Sequence, residues 1–225
     1  MRLMIDYAAA RRTMVDSQIR TCDVTDLRIV GVMLELPRER FVPQAHAELA
    51  YLDGDVPLAA AGEAAKRRLL RPMVLAKLVQ ALAIGPQDHV LDVGCATGYA
   101  SALLGRLAGS VVALEDNAEL ALQAKTNLAA CNVRNVTVAT GPLTEGLPAQ
   151  APYDVILING AVEFVPEALR RQVKEGGRLA TMLGRSPLTR GMLYHCIRSD
   201  LSGRSFFDAP APMLPGFAAE PQFVF

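Results

Sequence analysis

The run Val90-Leu91-Asp92-Val93-Gly94-Cys95-Ala96-Thr97-Gly98-Tyr99 joins an apolar strand, a turn of small residues and a helix start. In open α/β sheets ligands sit at the carboxyl ends of strands, where small residues let a ligand approach the backbone. A dinucleotide fingerprint needs G-x-G-x-x-G. Read from Gly94, those positions hold Gly94, Ala96 and Tyr99. Tyr99 would crowd the helix–sheet contact that a third glycine permits, which argues against a nicotinamide dinucleotide. A second strand, residues 111–115, ends in Glu115, 23 residues after Asp92. A carboxylate there can accept two hydrogen bonds from the ribose hydroxyls of an adenosine. The plainer alternative is an acid that merely ends a strand, but turn and acid together favour a ligand.

Two further groups have chemical potential. Lys66, Arg67, Arg68 and Arg71 place four cations in six residues. They form either a solvated basic turn or a grip on an anionic substrate, with Arg71 able to fork onto a carboxylate. Asn159 ends the fourth strand of the α/β region; it either satisfies local backbone or orients a substrate carboxylate.

The elements that must position these residues change character near residue 85. Before it the chain reads as helical. Residues 13–20 and 24–36 carry apolar side chains at helical spacing, with Asp23 or Thr25 as cap of the second run and Pro37 as its stop. Residues 52–71 read as loop or short strand, and Pro72 opens another helix from its first turn. After residue 85 short apolar strands (89–93, 111–115, 136–139, 153–158, 178–183) alternate with helices (99–107, 118–130, 165–173), Asn117 capping the second of these. That alternation predicts βαβ units and a mainly parallel central sheet. Residues 193–197 are a further candidate strand. The proline-rich tail ends in Phe223-Val224-Phe225, an ending expected to dock as a last strand on the sheet edge.

Composition narrows the classes. A chain of 225 residues is one large domain, or one domain with an extension. We divide it into an N-terminal helical extension with the substrate loop, 1–85, and an α/β domain, 86–225, forming one structural unit. Hydrophobic residues make up 51%, and 23 basic residues balance 23 acidic ones. This excludes a disordered chain and gives no basic excess for nucleic-acid binding. No apolar run is long enough for a transmembrane helix, and the N-terminus reaches Asp6 before a signal-peptide core could form. The expected location is the cytoplasm, without membrane partners. Cys22, Cys95, Cys131 and Cys196 form no C-x-x-C pair, and no His or Glu completes a metal site. Except for Cys95, inside the glycine turn, the thiols are expected to be buried apolar residues. Nothing in the sequence gives the oligomeric state.

The turn resembles the D-x-G-x-G-x-G turn of class I S-adenosylmethionine-dependent methyltransferases, with Ala96 for the middle glycine. More of the chain resembles one family, the protein-L-isoaspartate O-methyltransferases. Leu36-Pro37-Arg38-Glu39-Arg40-Phe41-Val42-Pro43 is similar to its "PR-E-x-FVP" segment, Ala151-Pro152-Tyr153-Asp154-Val155-Ile156 to its "APFD-x-I", and Glu175-Gly176-Gly177-Arg178-Leu179 to its "EGG-x-L" strand. The resemblance implies an α/β, Rossmann-like class I methyltransferase fold. It implies S-adenosylmethionine as cofactor, S-adenosylhomocysteine as product, and methylation of L-isoaspartyl carboxylates in damaged proteins and peptides for repair. Carried onto this chain, the cofactor residues are Asp92, Gly94, Cys95, Ala96, Thr97, Gly98, Glu115, Asp116 and Leu143; the candidate substrate residues are Arg71, which stands where the family has Gln, and Asn159, where it often has Thr.

Two positions depart from the family pattern. Leu70 stands where the family has the Ser credited with catalysis, so no catalytic residue is assigned; leucine offers neither donor nor acceptor. Pro142 stands where an Asp would bond the adenine amino group, leaving the backbone N–H of Leu143 for the ring. Two alternatives stay open: the same fold acting on a different anionic acceptor, or a non-catalytic cofactor-binding relative.

Overall fold

The computed structural model describes residues 5–59 and 67–219. Strands β3 (His89–Val93), β4 (Ser110–Glu115), β5 (Val136–Thr140), β6 (Tyr153–Val162), β7 (Val173–Arg185), β8 (Leu188–Ile197) and β9 (Asp200–Asp208) form one seven-stranded sheet. Its order is β5-β4-β3-β6-β7-β8-β9. The β5–β7 half is parallel, and β7, β8 and β9 are joined antiparallel. From β3 the chain crosses first to one side, to β4, and later to the other, to β6. The strand order therefore reverses beside β3, the place where open sheets bind ligands.

The β3 and β6 strands are buried almost throughout, which is why they read as continuous apolar runs rather than alternating ones. Helices α4 (Tyr99–Gly105) and α5 (Ala118–Ala130) make the crossovers. Asn117 caps α5 as expected, its side chain accepting from the N–H groups of Glu119 (3.0 Å) and Leu120 (3.1 Å). Helix α3 (Pro72–Ala81) starts with its proline in the first turn.

Several expectations are corrected. The first helical run begins earlier than its apolar spacing suggests: α1 spans Tyr7–Met14, capped by Asp6, and continues through a π turn (Val15–Ile19) and a 3₁₀ turn (Arg20–Cys22). Helix α2 is Leu27–Glu35, and its cap is Asp26, not Asp23 or Thr25; Asp26 accepts from the Arg28 N–H at 2.9 Å. The helix expected over 165–173 is one turn, α6 (Glu167–Arg170). Beyond it the Gln172 amide accepts from the Leu147 N–H (2.9 Å) and donates to the Glu145 carbonyl (2.7 Å), and β7 begins at Val173. Strand β9 was not anticipated. Its edge is polar and exposed, so it lacks the apolar signal that marks a buried strand. Phe223-Val224-Phe225 lies outside the described residues. Of the cysteines, Cys95, Cys131 and Cys196 are buried, while Cys22 is partly exposed.

In the N-terminal part β1 (Val56–Pro57) pairs antiparallel with β2 (Arg68–Leu69) as a separate two-stranded ladder. One apolar cluster runs through both parts, from Met14, Phe41 and Leu70 to Val90, Leu157 and Met182. Arg38, fully buried, ties them further: its Nε donates to the Ala50 carbonyl (2.7 Å), its Nη2 to the Leu70 carbonyl (2.6 Å), and its guanidinium stacks on the Tyr99 ring 4.6 Å away. Among the described residues no helix is long and apolar enough to cross a membrane.

Candidate active site

The turn after β3 is built by backbone geometry. Gly94 and Gly98 have φ of +79° and +92°, and Ala96 has +53°. A left-handed alanine costs roughly 1–2 kcal/mol. It is held by its own N–H, which donates to Glu115 Oε2 at 2.6 Å. Gly98 also needs its missing side chain, because a Cβ there would stand 3.2 Å from the Cβ of Ala124 on α5. The Thr97 hydroxyl donates to the Phe41 carbonyl, fastening the turn to the Pro37–Pro43 segment. Asn127 on α5 donates to the Thr97 carbonyl at 3.0 Å. Thr97 and Cys95 are buried, so what they offer a ligand is backbone.

Asp92 is buried at the end of β3. Ser101 donates to its Oδ2 at 2.6 Å, while among the described residues Oδ1 has no hydrogen-bond partner of good geometry. Burial pushes its pKa up to about 7; the Ser101 hydroxyl and the neighbouring Asn159 amide ease ionisation only in part. Asn159 thus lies beside Asp92, at the reversal point between β3 and β6, and is itself buried. A buried acceptor so placed is open to a further donor, from water or from a ligand.

Glu115 lies at the end of β4 with its side chain fully buried. Its Oε1 accepts from the Asn117 N–H at 3.2 Å. Arg67 forks onto it: Nη1 donates to Oε1 and also to Asp116 Oδ1 (2.8 Å), and Nη2 donates to Oε2 at 2.9 Å. Burial pushes the Glu115 carboxyl up, and Arg67 pulls it back toward ionisation.

This arrangement corrects the reading of the basic cluster. Arg67 is no part of a solvated patch; its side chain is 4% exposed and turned inward. Arg68 remains outside, donating to the Asp55 carbonyl at 3.3 Å. Arg71 does meet a carboxylate, but one of this chain: its Nη2 lies 3.7 Å from Asp55 Oδ2, and its N–H donates to Asp55 Oδ1 at 2.8 Å. Lys66 lies outside the described residues. Leu70 points into the apolar cluster and is 2% exposed. Leu143 is also buried in a core cluster, with Leu91 and Leu114.

The sequence reading missed Leu214. The segment after β9 folds back over the end of β6, where the Ala161 N–H donates to the Pro212 carbonyl (2.7 Å) and the Leu214 N–H to the Ala161 carbonyl (2.9 Å). A Cβ on Gly94 would stand 3.0 Å from Leu214 Cδ2, and one on Gly160 2.6 Å from Leu214 Cγ. Leu214 therefore fills the notch between the two strand ends. The glycines that accept it were visible, but nothing local in the sequence pairs them with a residue so distant. On the other side of the turn an open groove of about 520 Å³ adjoins Thr97, lined by Arg40, Val42, Pro43, Leu58 and Leu122.

The donor set suits an adenosine-bearing sulfonium cofactor in type: a strand-end carboxylate, a glycine turn of positive φ and a buried orphan acceptor. The carboxylate is engaged by Arg67. Among the described residues no group of His, Cys, Asp and Glu could hold a metal ion.

Known proteins match this description. The family model for protein-L-isoaspartate(D-aspartate) O-methyltransferase matches residues 9–194. The protein-L-isoaspartate O-methyltransferase of Koribacter versatilis is 39% identical over 178 residues, covering 79% of this chain and 78% of its own. That of Rhodopseudomonas palustris is 40% identical over 171 residues, 76% of each chain. A solved protein-L-isoaspartate O-methyltransferase superposes with a TM-score of 0.79 at 25% identity, over 92% of this chain and 66% of the other. A Plasmodium falciparum structure, described as a candidate enzyme of this kind with S-adenosyl-L-homocysteine bound, shares the fold, with a TM-score of 0.72 at 16% identity over 92% and 97% of the two chains. With five-sixths of its length inside the family model and its glycine turn and strand-end acid placed at the reversal of the sheet, the chain belongs to the protein-L-isoaspartate (D-aspartate) O-methyltransferase family.

Proposed function

We propose that the protein transfers a methyl group from S-adenosylmethionine to the carboxylate of L-isoaspartyl residues in damaged proteins, as a repair step. The observation that carries this is the glycine turn and Glu115 at the sheet reversal, in a chain of this family. When bound, the cofactor supplies an activated methyl on a sulfonium. The acceptor carboxylate, with an ordinary pKa near 4, is ionised at neutral pH, so no general base is required. The chain has to bind both partners and align them, which can be worth ~7–11 kcal/mol. In this reading Asp92, Gly94, Cys95, Ala96, Thr97, Gly98, Glu115, Asp116 and Leu143 hold the cofactor. Arg71 and Asn159 face the acceptor, and residues 1–85 carry much of the acceptor site. The four free thiols support a reducing, cytoplasmic location.

Leu70 supports a second reading, the same chemistry on a different anionic acceptor. Its side chain lies in the core and offers no hydroxyl where the family has Ser. A pair of peptides differing only in an isoaspartyl or aspartyl linkage separates the two. Methylation of the isoaspartyl peptide alone upholds repair. No methylation of either, beside turnover of another carboxylate in a wider screen, replaces it with the second reading.

A further inference from the structure

Glu115 has two carboxylate oxygens and room for about four hydrogen bonds. Four are made. Oε1 takes Arg67 Nη1 and the Asn117 N–H; Oε2 takes Arg67 Nη2 and the Ala96 N–H. The two backbone donors belong to the turn and the helix cap and cannot leave without unmaking them. Among these four, the separable donors are those of Arg67. A ribose diol needs two acceptor positions at once, so the diol and the Arg67 fork exclude each other. The guanidinium also lies against the turn: a Cβ on Gly94, its first glycine, would stand 3.2 Å from Arg67 Nη2.

We propose that Arg67 is a built-in competitor of the cofactor for Glu115, setting the affinity of the site by the fraction of molecules in which its guanidinium has swung away. This rests on the reading of the site as an S-adenosylmethionine site. The backbone of Arg67 is pinned, because its carbonyl accepts from the Leu58 N–H at 3.1 Å and the next residues pair in β2. Release is therefore a rotation of one side chain. A binding-competent fraction of one in ten to one in a hundred lowers apparent affinity by about 10- to 100-fold.

The test is calorimetric titration of S-adenosylhomocysteine into the wild type, Arg67→Gln and Arg67→Lys, each checked for folding by circular dichroism. The expected result is binding at least tenfold tighter in Arg67→Gln, with Arg67→Lys between. A folded Arg67→Gln that binds no tighter than a binding wild type overturns the proposal and leaves the methyltransferase reading intact. Absence of binding in both overturns the cofactor reading, and the proposal with it. Should the variants not fold, the wild type alone decides. Its affinities for S-adenosylhomocysteine and the 2′,3′-dideoxy analogue are expected to lie within about threefold, because the hydroxyls gain only what Arg67 gives up. A larger preference for the hydroxylated ligand would mean that the diol reaches Glu115 unopposed, and would overturn the proposal.

Discussion

Asp92 and Leu70 show how burial decides what a residue can do. The Asp92 pKa is raised to about 7 in the fold by burial, against ~4 for an unfolded aspartate. Between those values the folded chain holds a proton that the unfolded chain has lost. Asp92 therefore makes stability fall as pH rises from about 4 to 7, by at most ~1.4 kcal/mol per pH unit. Asp92→Asn removes this contribution. Urea melts across that range should show the variant gaining on the wild type by a few kcal/mol between pH 4.5 and 7.5; a constant difference would refute the assignment. Leu70 is fixed by packing. Leu70→Ser restores the family hydroxyl but removes apolar volume from the core, and should cost about 2–4 kcal/mol in the same melts. Much of the residue scale was legible. The turn, Glu115 and the departure at Leu70 each stand out from neighbours in the sequence. The inward course of Arg67 did not, because its partner lies 48 positions away, and a cation beside three others carries no mark of which one is buried.

Elements governed by local signals were read most closely. The bounds of β3 and α5 follow from an apolar run and from a cap at Asn117. Asn117→Ala leaves the Glu119 and Leu120 N–H groups without their acceptor and should cost about 1 kcal/mol, seen as a lower Tm. Elements set by tertiary partners were misjudged. The helix over 165–173 shrank to one turn where Gln172 ties the chain to residues 145–147, and among the described residues β9 pairs with β8 alone. Gly160 sits on this boundary between local and distant. A Cβ there would reach Leu214 Cγ at 2.6 Å, so Gly160→Ala should dislodge the returning C-terminal segment at about 1–3 kcal/mol. A chemical-shift map confined to residues near 160 and 209–217 would confirm that this is the path of the damage.

At the scale of the whole molecule, the N-terminal part and the segment after β9 both reach the turn after β3, the first through Phe41 and the second through Leu214. Phe217 is fully buried in the second apolar cluster. Phe217→Ala should cost about 3–5 kcal/mol in denaturant unfolding. The helical extension was legible as a change of texture near residue 85 and was read with the α/β domain as one structural unit; the residues that join them were not legible, since Met14, Phe41 and Val90 share a cluster that only the folded chain assembles. That shared cluster bears on how the molecule breathes. Regions with their own cores open separately, each with its own exchange rate for backbone amide hydrogens. Here the amides of α2 have no private core to shelter them. Transferred to heavy water, they should exchange as slowly as those of β3, through the same opening that exposes the centre of the sheet.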